Sequence, residues 1–210
     1  GNFPYFVDMG NCGGALITPD TVLTAAHCGD FTGRTLIIGG MTRGKVEGKA
    51  EVRFCEKYAK HPVYKNPDHP DVWNPNSEDY DYALCFLSYP VFIDQTRVRL
   101  EINTDNNNPA PNEDLTVMGM GNIESGVGNP DDRLKDVIVP ALDNEKCNGR
   151  HYYMNAITDQ MICAGFDDGR YDSCKGDSGG PVVKRVQQTN GKFIDYHIGV
   201  ASIGAACGTK

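Results

Sequence analysis

Short β-prone runs, each closed off by turn residues, leave this chain little choice but a sheet fold. They are Ala15-Leu16-Ile17, Thr35-Leu36-Ile37-Ile38, Tyr82-Ala83-Leu84-Cys85-Phe86-Leu87, Leu115-Thr116-Val117-Met118, Val137-Ile138-Val139, Pro181-Val182-Val183 and Ile198-Gly199-Val200-Ala201. Gly, Pro, Asn and Asp clusters punctuate them, and long amphipathic helical patterns are nearly absent, which predicts an all-β sandwich or barrel. The stretch from Asn103 to Asp114, with five Asn and two Pro, reads as a linker near the middle of the 210 residues. It separates an N-terminal unit, 1–105, from a C-terminal unit, 106–210. No internal repeat is visible.

Apolar residues make up 40% of the chain, enough for a packed core. Lys and Arg total 20 against 28 Asp and Glu, for a net charge of −8. Such an acidic chain repels phosphate backbones, and no basic run interrupts it, so nucleic acid is not an expected partner. Apolar stretches such as Val137-Ile138-Val139 fall far short of the roughly 18 residues that a spanning helix needs, so no membrane is expected either. No secretory signal opens the chain.

The eight cysteines contain no Cys-x-x-Cys zinc pair and lie at long, irregular separations. Disulfides fit this usage better than metal, and they imply an oxidising, extracellular compartment.

Chemistry concentrates in three motifs: Thr24-Ala25-Ala26-His27-Cys28, Asp81-Tyr82-Ala83-Leu84 and Gly176-Asp177-Ser178-Gly179-Gly180-Pro181. His61, His69, His151 and His197 read as solvated or core residues. His27 stands apart, because it follows an apolar run and adjoins a cysteine that can anchor its backbone. Glycines around Ser178 let backbone N–H groups converge on one point, as a nucleophile requires.

In this order and spelling, the motifs resemble the trypsin/chymotrypsin family of serine proteases, over essentially the whole chain. The resemblance implies two six-stranded antiparallel Greek-key barrels with an active site between them. It implies that Ser178 is the nucleophile, that His27 is the general base, and that a buried carboxylate orients the imidazole. Asp79 and Asp81 compete for that last role. Asp81 is preferred, because it matches the family's Asp-x-Ala-Leu pattern and leads into an apolar strand. The N–H groups of Gly176 and Ser178 would form the oxyanion hole, each donor being worth about 100- to 1,000-fold in rate.

Specificity follows from the same frame. Asp172, in Asp172-Ser173-Cys174, falls where trypsin-like members place the acid of the primary pocket, which would pair with a substrate Arg or Lys. Ser173, Ser202 and Gly204 would line that pocket. Lys175 and Ile203 depart from the usual residues at its rim.

The resemblance also pairs Cys12 with Cys28, Cys147 with Cys163 and Cys174 with Cys207. A further family bridge would join the positions of Leu115 and Lys184, and it is lost as a unit. Cys55 and Cys85 form either a fourth bridge or two buried thiols. The segment from His61 to Asp81 is longer than in trypsin and carries Asp68, Asp71, Glu78 and Asp79 beside Trp73 and Tyr80. It reads as a solvated loop bordering the cleft. A calcium loop is poorly supported, since Gly40 to Glu51 offers only Glu47 and Glu51 as acids.

Family members mature by exposing an Ile-Val-type amino terminus that pairs with the acid before the nucleophile, here Asp177. Gly1-Asn2-Phe3-Pro4 lies past that segment, and Cys207-Gly208-Thr209-Lys210 stops before the family's last strand and C-terminal helix. These ends imply a fragment or trimmed domain of a larger zymogen, weakly active alone. The expected function is a secreted, monomeric serine endopeptidase that cleaves after Arg or Lys through an acyl-enzyme. Its partners would be polypeptide substrates and protein inhibitors, and it would need no cofactor or metal. The rival readings are a non-catalytic binding module of the same fold and an inactive fragment of an active parent.

Overall fold

The computed structural model describes residues 3–68, 78–92, 98–122, 132–149, 153, 155–166 and 176–204. Inward apolar residues alternating with outward polar ones close the first half into a barrel. Its strands are β1 (Phe6–Asp8), β2 (Gly13–Thr18), β3 (Thr21–Thr24), β4 (Thr35–Ile38), β5 (Glu51–Lys60) and β6 (Ala83–Leu87), hydrogen-bonded in the order β1-β2-β3-β6-β5-β4 and back to β1. All its pairings are antiparallel. Closure leaves no free edge.

The second half contributes β7 (Val98–Ile102), β8 (Asp114–Gly119), β9 (Lys135–Leu142), β10 (Cys163–Ala164), β11 (Pro181–Gln187) and β12 (Phe193–Val200). They form a six-stranded sheet in the order β10-β9-β8-β11-β12-β7. Here the architecture differs in detail from two antiparallel barrels. β7 runs parallel to β12, from Phe193 opposite Val98 to His197 opposite Ile102. β7 thus precedes the Asn103–Asp114 stretch yet belongs to the second sheet. Helix is confined to a single turn, α1 (Asn144–Cys147), capped by Asp143 accepting from Glu145 N–H, and to a 3₁₀ turn at Ala26–Cys28. The fold is all-β.

The larger core gathers Tyr5, Phe6, Leu16, Leu36 and Ile38 of the first half with Leu100, Met118 and Val183 of the second. A smaller one lies within the second sheet around Leu115, Val117, Val139 and Val182. The shared core makes the junction between the halves a packed interior.

Three disulfides tie the described residues: Cys12–Cys28, Cys55–Cys85 and Cys147–Cys163. The question left open by the sequence is answered by the bridge itself, which joins the neighbouring strands β5 and β6 beside a bulge, with the two Cα atoms 5.6 Å apart. The expected Cys174–Cys207 pair lies outside the described residues. Leu115 is fully buried, while Lys184 binds Glu113 (Nζ–Oε2 2.7 Å) and Asn108 (Nζ–Oδ1 2.9 Å), so an ionic clamp ties β11 to the linker.

Candidate active site

β3 ends at Thr24, and the chain turns at once into the 3₁₀ turn that carries His27. That turn is fixed from below, where Ala26 packs with Tyr64 and Ala83, and where Tyr58 O–H donates to the Ala26 carbonyl (3.3 Å). Burial, then the nearby Asp30 and Asp81 carboxylates, push the Tyr58 hydroxyl up to about 12, so it remains a donor. The Cys12–Cys28 bridge fastens the far side of the turn to the start of β2.

Asp81 immediately precedes β6 and is buried, at 4% exposure. Its Oδ2 lies 2.6 Å from His27 Nδ1, and its Oδ1 accepts the His27 backbone N–H at 2.8 Å. The Ser202 hydroxyl donates to Oδ2 at 2.5 Å. Burial pushes the Asp81 carboxyl upward, but the hydrogen bonds from His27 and Ser202 outweigh it and hold the carboxyl below its ordinary range. The bond to Asp81 raises the His27 imidazole above its ordinary value, against the opposing effect of burial. Asp79 points elsewhere and accepts from Thr158 Oγ1 (2.8 Å) and the Tyr80 N–H (3.1 Å).

Ser178 lies on the turn before β11, and interlocking of the two halves places it. Gly13 N–H donates to the Ser178 carbonyl (2.8 Å), and Gly179 N–H donates to the Ala201 carbonyl (2.7 Å). Gly179 has φ +78°, and a Cβ there would collide with Thr24 Oγ1 and the Gly13 carbonyl. Glycine therefore lets this turn reach the strand that ends two residues before Ala26. Among the described residues, no hydrogen bond joins Ser178 Oγ to His27 Nε2, which lies 4.0 Å from Cys28 Sγ. Catalytic contacts of this kind commonly tighten only when substrate binds.

Asp177 is half-buried, and its Oδ1 accepts the Gly121 N–H at 2.8 Å. A Cβ at Gly119 would strike this carboxylate, so Gly119 is the space that Asp177 occupies. Gly176 has φ +99°, a backbone conformation that favours glycine. Gly204 and Ile203 are exposed, and Ser202 turns its hydroxyl to Asp81. Asp172, Ser173 and Lys175 lie outside the described residues. Among the described residues, the one cluster with metal-like spacing is Cys12, His27 and Cys28. Its two sulfurs are bonded to each other and so cannot act as thiolate ligands.

The sequence reading passed over Tyr58, Tyr64, Gly119 and Ser202's link to Asp81. Nothing in their local sequence marks these contacts, which arise from strand register and lobe packing.

These parts fit a hydrolase built around a serine, and comparison with known proteins narrows the class. The trypsin family model matches residues 1–210, so the chain belongs to the trypsin family of serine proteases. It is 30% identical to a trypsin of Simulium vittatum over 94% of this chain and 72% of that protein. It is 35% identical to a vitellin-degrading protease of Bombyx mori over 83% of this chain and 62% of that protein. A trypsin-like protease of Streptomyces glaucescens is 31% identical over 98% of this chain and 69% of its own length. The matches thus leave about a third of each relative's length uncovered.

Proposed function

We propose that the chain is the catalytic part of a secreted endopeptidase that cuts after Arg or Lys through an acyl-enzyme. The observation that carries this reading is the His27–Asp81 pair at 2.6 Å, set across the junction from a glycine-flanked serine. Ser178 Oγ attacks the scissile carbonyl carbon while His27 Nε2 takes the hydroxyl proton. The oxygen that becomes negative is received by the N–H groups of Gly176 and Ser178. The C–N bond then breaks, and His27 returns the proton to the departing amine. Water repeats the sequence on the ester and frees Ser178. Asp81 holds the ring in one orientation and stabilises its cation, and Ser202 and the His27 N–H hold Asp81.

Asp172 is the acid assigned to receive the substrate's Arg or Lys, on the strength of its place six residues before Ser178. The disulfides support an oxidising, extracellular setting. No helix among the described residues is long and apolar enough to cross a membrane.

The test is Ser178→Ala in the activated full-length protein. Turnover of an arginyl amide should be abolished, and labelling by a serine-directed phosphonylating reagent should vanish. Folding and substrate affinity should stay near wild type, because only a small hydroxyl is removed. Undiminished turnover would eliminate Ser178 as the nucleophile, and an unlabelled wild type would favour the binding-module alternative.

A further inference from the structure

The loop between β4 and β5 carries Arg43, and two backbone hydrogen bonds dock that loop on the second half. The Arg43 backbone N–H donates to the Asp132 carbonyl (2.7 Å) and Leu134 N–H donates to the Met41 carbonyl (2.8 Å), which together make an antiparallel bridge between Thr42 and Arg133. The Asp8 carboxylate, on a residue only 5% exposed, accepts Gly10 N–H (2.8 Å) and Gly44 N–H (2.6 Å), fixing the turns on both sides of the arginine. Held this way, the guanidinium donates through Nη1 to the Gly10 carbonyl and through Nη2 to the Met120 carbonyl. Asp132 approaches its Nε at 3.6 Å from a largely exposed position.

The Met120 carbonyl and the Gly121 N–H belong to one peptide unit. Its carbonyl end faces the guanidinium, and its N–H end donates to Asp177 Oδ1 at 2.8 Å. A cation and an anion therefore sit at opposite ends of a single peptide dipole, each strengthening the other's hydrogen bond. Nη2 also lies 3.6 Å from where a Gly176 Cβ would stand, so the charge borders the turn itself.

We propose that Arg43 is a positioning residue for the nucleophile turn, acting through peptide 120–121 on the Asp177 carboxylate and so on the Gly176 and Ser178 N–H groups. Asp177 lies between those two donors in sequence. Fixing its carboxylate fixes the peptides on either side of it. The consequence for rate rests on the serine-protease reading above, whereas the coupling of Arg43 to Asp177 does not.

The test compares Arg43→Gln with Arg43→Lys in the activated full-length protein. Both keep a hydrogen-bond donor, and only lysine keeps the charge. Arg43→Gln should lower kcat and the phosphonylation rate of Ser178 together by about 10- to 100-fold, less than deleting an oxyanion donor outright. KM for an arginyl amide should stay within about 3-fold, since binding is not the step affected. Arg43→Lys should retain most of the rate. By NMR, the Gly121 amide proton should lie downfield in the wild type and in Arg43→Lys, and should move upfield in Arg43→Gln. A wild-type phosphonylation rate in Arg43→Gln, or equal losses in the two variants, overturns the proposal. If Arg43→Gln does not fold, loss of the downfield Gly121 resonance in Arg43→Lys overturns it equally. If the wild type fails to react with the phosphonate, the protease reading has failed, and the Gly121 resonance still decides the link between Arg43 and Asp177.

Discussion

His197 sits on β12 at 5% exposure, and its Nε2 has no hydrogen-bond partner among the described residues. Burial pushes its imidazole down from 6.5 to about 4. Between those values the unfolded chain binds the proton and the folded one does not. The stability due to a neutral His197 is therefore complete above about 6.5 and is lost as pH falls towards 4. His27 runs the other way: its raised pKa gives stability that is present below 6.5 and lost as pH rises through its folded value. The two windows do not overlap, so they can be separated. Urea midpoints measured from pH 4.5 to 7 should depend less on pH in His197→Phe than in the wild type, and parallel profiles would refute this account. His197 reads in sequence as a solvated or core histidine, and the structure places it in the interior. The missing partner is a fact of tertiary packing that no local pattern encodes.

At the level of elements, β12 is anchored at one end by a buried acid. Asp195 is fully buried, receives the Tyr5 hydroxyl at 2.5 Å, and takes Arg185 in two bonds of 2.7 and 2.6 Å. The Arg185 guanidinium also lies over the rings of Phe3 (4.5 Å) and Phe193 (5.2 Å). Burial and then the Asp195 charge push the Tyr5 hydroxyl far up, keeping it a donor. Asp195→Asn removes the charge that both donors face and leaves the Arg185 cation half-buried. It should destabilise the fold by about 3–5 kcal/mol in chemical denaturation. A loss below about 1 kcal/mol would show that the network is no stronger than an exposed ion pair.

The same scale shows what sequence makes legible. The runs at Thr35–Ile38, Leu115–Met118 and Val137–Val139 fall on or within β4, β8 and β9, because they are apolar on both faces or nearly so. β5 is not among the β-prone runs, although at ten residues it is the longest of the described strands. Its outward face carries Glu56, Lys57 and Lys60, and a bulge between Cys55 and Lys57 breaks the alternation that would have marked it. β7, spelled Val-Arg-Leu-Glu-Ile, alternates cleanly, yet nothing local says that it joins the second sheet in parallel. The family was readable from the motifs around His27, Asp81 and Ser178, because each is a contiguous word. Arg43, Tyr58 and the Ser202–Asp81 bond were not, because they exist only once the halves meet.

On the scale of the whole molecule, the two halves are joined by the chain that includes the Asn103–Asp114 linker, and the linker is pinned by Lys184 to Glu113 and Asn108. From Leu100 to Asp132 the sequence contains neither Lys nor Arg, although Arg99 and Arg133 stand at its ends. If cleavage follows Arg or Lys as proposed, self-digestion has no bond to cut between Leu100 and Asp132. The exposed Lys45 and Lys49 of the β4–β5 loop are the kind of site that it should take instead. Prolonged incubation of active protein, followed by mass analysis of the fragments, should yield no new end between Leu100 and Asp132. A self-inflicted cut within that interval would overturn the Arg/Lys assignment. A protease is its own most concentrated substrate, and here a stretch of 33 residues between base and nucleophile, Leu100 to Asp132, contains no residue that its proposed chemistry can recognise.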